Sequence, residues 1–190
     1  MCSSDLDGSE KSRSGCLVYV NHALVWWCSK NQTTTAVSST EAELYAMKEG
    51  IKEGAFLYSL LSEITNHRRS IEVTIYSDSQ SAIKSVKSGA LTDRNKHYRA
   101  TLGSLKDFVH DTKAKLHYVP TELMLADSLT KNTPRPVFGK HVYFMHHYDE
   151  WLEKVQVYAP SNGEKVSKHT MGGAEGDTSP KRSRTDEQEK

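Results

Sequence analysis

Four carboxylates lie at the edges of predicted helices and strands, and they are the side chains of this sequence best suited to chemistry. They are Asp5, Glu43, Asp78 and Asp127. If the fold gathers them, their mutual repulsion at low dielectric would be on the order of several kcal/mol unless hard divalent cations neutralise it. Because every ligand is an oxygen, the sequence favours Mg²⁺, with Mn²⁺ as an alternative, over zinc.

Glu43 has to be weighed against an ordinary structural role. In the pattern Thr40-x-x-Glu43 it would complete a capping box, with its carboxylate bonded back to the start of a helix. The helical wheel places Glu43 at the border of the apolar stripe, one turn before Met47, and it predicts that Glu41 faces solvent. We therefore prefer Glu43 to Glu41 as a metal ligand.

The other acidic residues have alternatives as well. Asp78 ends a predicted strand, where mixed sheets collect their ligands, but it could instead cap the following helix. Asp127 lies in a predicted short helix and could be an ordinary solvated residue. Asp5 and Asp7 compete for one position near the N-terminus, and Asp7 also suits a turn.

The elements that would position these acids alternate between strands and helices, which predicts an α/β fold with a mixed sheet and helices on its faces. Asn21-His22 is predicted to be a two-residue turn, and too few residues precede Asp5 to predict a proper first strand. Apolar periodicity predicts strands at 15–20 and 23–28, a helix from 39 or 40 to about 64, a strand at 71–76, helices at about 79–88 and 95–111, a strand at 114–119, a short helix at 122–131 closed by Pro134 and Pro136, and a last helix within 138–157.

Composition limits the class of protein. The 190 residues suffice for one domain, assigned to 1–158, and a tail at 159–190, which has almost no large apolar residue and is expected to be disordered. Three cysteines make no even disulfide framework, which favours a reducing compartment. No apolar run approaches the roughly 18 residues of a membrane span, and the N-terminus lacks the apolar core of a signal peptide. We therefore expect a cytoplasmic or nuclear location and no membrane partner.

A local excess of positive charge gives a candidate nucleic-acid-binding surface. The whole chain has a formal charge of only +1, so affinity for nucleic acid has to come from a patch. The alternative is an ordinary solvated helix face. Between residues 79 and 99 the only acid is Asp93, and the basic residues are Lys84, Lys87, Arg94, Lys96 and Arg99.

Several motifs in order resemble one known family. Over about residues 4–140 the chain resembles the ribonuclease H domain of copia-type retrotransposon Pol polyproteins. The segments that carry the resemblance are Ser38-Ser39-Thr40-Glu41-Ala42-Glu43, Tyr76-Ser77-Asp78-Ser79-Gln80-Ser81-Ala82-Ile83, Tyr118-Val119-Pro120-Thr121-Glu122 and Leu125-Ala126-Asp127-Ser128-Leu129-Thr130-Lys131, with Trp26-Trp27-Cys28-Ser29-Lys30-Asn31-Gln32 and Asn95-Lys96-His97 as further landmarks.

This resemblance implies a fold and a site. The fold is a five-stranded sheet whose first three strands are antiparallel, with helices on both faces. The first catalytic Asp of the family sits within the first strand. By similarity Asp5 takes that role, so the chain is expected to be clipped at its start. Glu43, Asp78 and Asp127 match the other three acidic positions.

The resemblance also implies an activity. It is hydrolysis of the RNA strand of RNA–DNA hybrids by two magnesium ions about 4 Å apart, as one part of a polyprotein that also carries reverse transcriptase and integrase portions. No polymerase-type Tyr-x-Asp-Asp is present in the sequence. The alternative is a catalytically inactive or repurposed retroelement fragment that binds nucleic acid or protein.

Overall fold

The computed structural model describes the backbone of residues 2–6 and, with their side chains, residues 11–88, 96 and 98–158. Asp7, Arg94 and the predicted tail at 159–190 lie outside these ranges, as does the side chain of Asp5. No helix in the described part of the chain is long and apolar enough to span a bilayer.

An antiparallel meander begins the fold. Strand β1 (Cys2–Leu6) pairs with β2 (Ser12–Val20), which pairs with β3 (Ala23–Asn31). The predicted turn at Asn21-His22 is confirmed, because both residues have the positive φ, 46° and 67°, that a tight hairpin of this kind requires. The strand that sequence patterning did not predict, β1, contains Asp5 opposite Arg13 of β2.

A parallel pair of strands follows. Strands β4 (Thr74–Ser77) and β5 (Lys115–Tyr118) pair in parallel and are connected through α2 (Gln80–Ser88) and α3 (Arg99–Thr112). The described residues thus form a mixed α/β fold with two small sheets, one antiparallel and one parallel. The two sheets meet where β1 lies beside β4.

Helices cover both faces of β2. Adjacent residues of a strand point to opposite faces, and Cys16 and Leu17 accordingly belong to two different hydrophobic clusters. On the side of Cys16 lies α1 (Ser39–Ile64), whose bounds match the prediction. On the side of Leu17 lie two short 3₁₀ helices, Thr121–Leu123 and Leu125–Leu129, together with α4 (Arg135–His146) and α5 (Tyr148–Gln156).

Three predictions for the C-terminal half were wrong. The helix predicted at 122–131 is two 3₁₀ helices, and the second of these, Leu125–Leu129, is called the Asp127 helix below. The last helix is broken at His147 (φ −117°, ψ 62°). Pro134 and Pro136 open α4 rather than close the preceding element, since a proline in the first helical turn removes an N–H that has no helical partner anyway.

Candidate active site

The strand that carries Asp5 contacts the elements that bear or precede the other three candidate acids. The backbone of β1 lies against α1, which carries Glu43, against β4, which ends one residue before Asp78, and against the Asp127 helix. The topology therefore brings four chain segments that are distant in sequence to one region. The side chain of Asp5 is outside the described residues, so its place in this region stays a prediction.

Asp78 lies directly after β4 in a partly buried position. The hydroxyl of Thr121 donates a hydrogen bond to its Oδ2 at 3.3 Å. Burial raises the pKa of Asp78, and the negative charge of Asp127 raises it further, against smaller opposing effects of Lys131 and Thr121. Two of the predicted acids therefore lie within electrostatic range of each other.

Asp78 does not cap the following helix. The side chain of Ser79 takes that role, because its Oγ accepts a hydrogen bond from the backbone N–H of Ala82 at 3.2 Å, as an N-cap residue does. The carboxylate of Asp78 accepts instead from Thr121. The alternative role considered for Asp78 from sequence is thus taken by its neighbour.

Asp127 is buried, so the reading of it as a solvated helix residue is wrong. Only 4% of the residue is exposed. The ammonium of Lys131, four residues later, lies 3.1 Å from its Oδ2. A buried carboxylate of this kind needs a positive partner, and a Lys side chain supplies that charge in this structure.

A glycine explains how the Asp127 helix comes so close to the sheet. A Cβ at Gly15 of β2 would lie 2.7 Å from the carbonyl oxygen of Ala126 and 2.8 and 2.9 Å from side-chain atoms of Thr130 and Leu129. Only a residue without a side chain allows this approach. The buried position of Asp127 therefore depends on Gly15, a residue that the sequence analysis did not single out.

Glu41, and not Glu43, completes the cap of α1. The N-cap is Ser38, whose Oγ accepts from the backbone N–H of Glu41 at 3.2 Å. The carboxylate of Glu41 accepts from the N–H of Val37 at 2.8 Å and from the hydroxyl of Tyr45 at 2.7 Å. The prediction that Glu41 faces solvent is wrong, since it is 1% exposed. Glu41 is committed to the cap, and the choice of Glu43 as a ligand stays a prediction.

The first turns of α1 are fixed to neighbouring elements. Glu43 is 8% exposed. One residue before it, the carbonyl of Ala42 accepts a hydrogen bond from Gln32 Nε2 at 2.9 Å, and the same nitrogen donates to Ser14 Oγ of β2 at 2.9 Å. The hydroxyl of Thr40 lies 2.8 Å from that of Ser81 in α2. Gln32 was missed as a site residue because both of its partners are remote in sequence.

The Asp127 helix is also supported from the side of α4. His141 is 2% exposed, and its Nδ1 lies 2.7 Å from the hydroxyl of Ser128. Burial lowers the pKa of His141, which the carbonyl of Glu122 and the charge of Asp127 partly offset. The side chain of His141 therefore helps to hold Ser128, the residue next to Asp127, in place.

The structure describes the side chains of three of the four candidate acids, Glu43, Asp78 and Asp127. Among the side chains that the structure describes, no three His, Cys, Asp or Glu residues lie close enough together to hold a metal ion. Asp5 is not among those side chains. The charge of Asp127 acts on Asp78, and the presence of Asp5 and Glu43 beside these two acids stays a prediction.

The basic residues proposed to hold a nucleic acid are exposed where they are described. Lys84 and Lys87 lie on α2, Arg99 begins α3, and Lys96 lies between these helices. Arg94 is outside the described residues. Lys87 also acts on His117 in β5. Burial is the main reason why the pKa of His117 is lowered, and the positive charge of Lys87 lowers it further.

The chain is similar to parts of retrotransposon Pol polyproteins. It is 36% identical over 134 residues to the retrovirus-related Pol polyprotein from transposon TNT 1-94 of Nicotiana tabacum, which covers 70% of this chain and 10% of that protein. It is 31% identical over 127 residues to the corresponding polyprotein from transposon RE1 of Arabidopsis thaliana, covering 67% of this chain and 9% of that protein. Against the transposon Ty1-NL2 Gag-Pol polyprotein of Saccharomyces cerevisiae the identity is 29% over 129 residues, covering 67% and 7%.

These similarities confirm the predicted relation to retrotransposon Pol polyproteins, and they support a retroelement-related function. The chain spans about a tenth or less of the length of these curated relatives. No protein-family model and no solved structure matches the chain.

Proposed function

We propose that the chain is a ribonuclease H-type domain that hydrolyses the RNA strand of RNA–DNA hybrids. The observation that carries this proposal is the proximity of Asp78 and Asp127, two partly or fully buried acids whose charges act on each other at the meeting point of β1, β4, α1 and the Asp127 helix. Acids buried together raise the free energy of the folded state, and function is a common reason for retaining them.

The donor chemistry at this point fits a hard divalent cation. Asp78 and Asp127 offer carboxylate oxygens only, and the cation already beside Asp127 is an ammonium. Asp5, Glu43, Asp78 and Asp127 would hold Mg²⁺, or Mn²⁺ in its place, which when bound supplies an activated water and stabilises the leaving oxygen. Thr121 would orient Asp78, and Gln32 would hold the turn of Glu43 against β2.

The substrate would be gripped through its phosphates. Lys84, Lys87, Lys96 and Arg99 are exposed on and between the helices that follow Asp78, and Arg94 falls in the same stretch of sequence. A patch of this kind neutralises backbone phosphates and gives a binding constant that falls steeply with salt. The similarity to Pol polyproteins further suggests reverse transcriptase and integrase portions of a parent polyprotein as partners.

A direct assay tests the proposal. The chain is incubated with an RNA–DNA hybrid labelled on the RNA strand, with Mg²⁺, with Mn²⁺ or with a chelator. We expect metal-dependent cleavage that Asp78→Asn abolishes and that Asp111→Asn, a matched change of an exposed aspartate on α3, leaves intact. Absence of cleavage by the unmutated chain with either metal would reject the enzymatic function.

One observation favours a second candidate, a module that binds nucleic acid or protein without cleaving it. The ammonium of Lys131 lies 3.1 Å from Oδ2 of Asp127, and this ion pair would offset the buried charge in a protein that does not cleave. Hybrid binding that survives Asp78→Asn, together with absent cleavage, would support this second function.

A further inference from the structure

All three cysteines of the chain lie in one row across three adjacent strands. The register pairs Cys2 of β1 with Cys16 of β2, and it pairs Cys16 with Cys28 of β3. Directly opposed residues of antiparallel strands have side chains on the same face and Cα atoms about 4.5–5.5 Å apart. Since disulfides span Cα separations of about 4.4–6.8 Å, the backbone register suits a disulfide without rearrangement of the strands.

Cys16 and Cys28 differ in their access to solvent. Cys16 is fully buried in the core beneath α1, where its thiol donates to the carbonyl oxygen of Ala46 at 3.2 Å. Cys28 packs against the same core but is only half-buried. A reagent in solution therefore reaches Cys28 before Cys16.

A positive charge lies beside the pair. Lys30 follows Cys28 by two residues and so shares its face of β3. A hydrogen bond to Glu49 is the main reason why the pKa of Lys30 is raised, and attraction to Cys28 and Cys16 adds to it. Lys30 also forms an ion pair with Glu49. Its ammonium attracts the negative charge carried by a sulfur that attacks a disulfide.

We propose that Cys28 and Cys16 form a reversible thiol-oxidation site, in which Cys28 reacts first with a small disulfide such as oxidised glutathione and Cys16 resolves the product. In the first step the sulfur of Cys28 attacks one sulfur of oxidised glutathione. A mixed disulfide forms, the glutathione disulfide bond breaks, and one glutathione leaves with the proton from Cys28.

In the second step the sulfur of Cys16 attacks the sulfur of Cys28. The bond to glutathione breaks, and a second glutathione leaves with the proton from Cys16. Two protein thiols are thereby oxidised to one disulfide while one small disulfide is reduced to two thiols. Excess reduced glutathione reverses both steps.

Mass spectrometry of the full chain treated with oxidised glutathione tests the proposal. We expect the loss of two hydrogens from the intact mass. Chymotrypsin, which cuts after Tyr19 and Trp27, should then release a disulfide-linked pair of peptides containing Cys16 and Cys28. Cys28→Ser should abolish this product and leave Cys16 unmodified, whereas Cys16→Ser should accumulate glutathione on Cys28.

Further variants separate this site from general thiol reactivity. Cys2→Ser is the matched control and should form the linked product at the parental rate, while Lys30→Ala should slow the first step several-fold. Oxidation should raise Tm by roughly 4 °C or more in the parent and not in Cys28→Ser. A product that links Cys2 to Cys16, or glutathione incorporation that is undiminished in Cys28→Ser, would overturn the proposal even if Cys16→Ser fails to fold.

Discussion

Replacing Gly15 by alanine should unseat the Asp127 helix. The new Cβ would lie 2.7 Å from the Ala126 carbonyl oxygen and within 3 Å of Thr130 and Leu129, whereas ordinary contacts begin near 3.4 Å. Two of these three atoms belong to the backbone or to a Cβ, so rotation of a side chain cannot relieve those two contacts. The Asp127 helix would therefore have to retreat by several tenths of an ångström.

The expected loss of stability follows from that overlap. Inserting a methyl group into a packed interior costs about 1–3 kcal/mol, and we expect Gly15→Ala to fall in the upper half of this range. Urea unfolding followed by circular dichroism measures the change. The same displacement moves Asp127 relative to Asp78, so cleavage of the hybrid should fall by more than the loss of folded protein explains.

The helix glycine Gly54 provides the matched control. A Cβ there would meet only Phe108 Cζ at 3.8 Å, and alanine in a helix interior is favoured over glycine by up to about 1 kcal/mol. Gly54→Ala should therefore be neutral or stabilising. Equal stability of Gly15→Ala and Gly54→Ala would refute the argument that close approach of β2 seats the Asp127 helix.

Three further predictions concern Asp78, the exposed lysines on and after α2, and the hydrogen bonds that Gln32 makes to α1 and β2. Burial and the charge of Asp127 raise the pKa of Asp78 in the folded state. The stability contributed by protonated Asp78 is therefore complete below the unfolded pKa of about 3.9 and is lost as pH rises through the folded pKa. Without metal, Asp78→Asn should be more stable than the parent at pH 7 in thermal unfolding, and a gain in stability that persists at pH 3 would contradict this. Changing Lys84, Lys87 and Lys96 together to alanine should weaken hybrid binding and flatten its dependence on salt in fluorescence anisotropy, whereas an unchanged slope would remove these lysines from the interface. Gln32→Ala should lower the free energy of unfolding in urea by about 1–3 kcal/mol, because it leaves the buried acceptors of Gln32 without their donor. A loss below about 0.5 kcal/mol would show that these hydrogen bonds contribute little.

Local patterns in the sequence identified most of the elements. Alternation and periodicity predicted β2, β3 and α1 to within a few residues, since these long elements repeat their apolar positions many times. The turn at Asn21-His22 was predictable because Asn tolerates positive φ. Short elements were harder: the 3₁₀ helices around Asp127 and the break at His147 arise from packing and leave no periodic signal.

The chemistry predicted for the candidate site rests on residue types alone. The sequence offers oxygen donors at element ends and a local run of basic residues, and no arrangement in space is needed to see that such donors suit hard cations. Only the folded structure decided the surroundings of each acid. Glu41 is used by the cap, and Asp127 is buried because Gly15 admits its helix. The cap of Glu41 uses residues no more than four positions away, but the contacts of Gly15 join residues more than a hundred positions apart. A linear pattern cannot encode contacts of the second kind, because each exists only after the chain has folded.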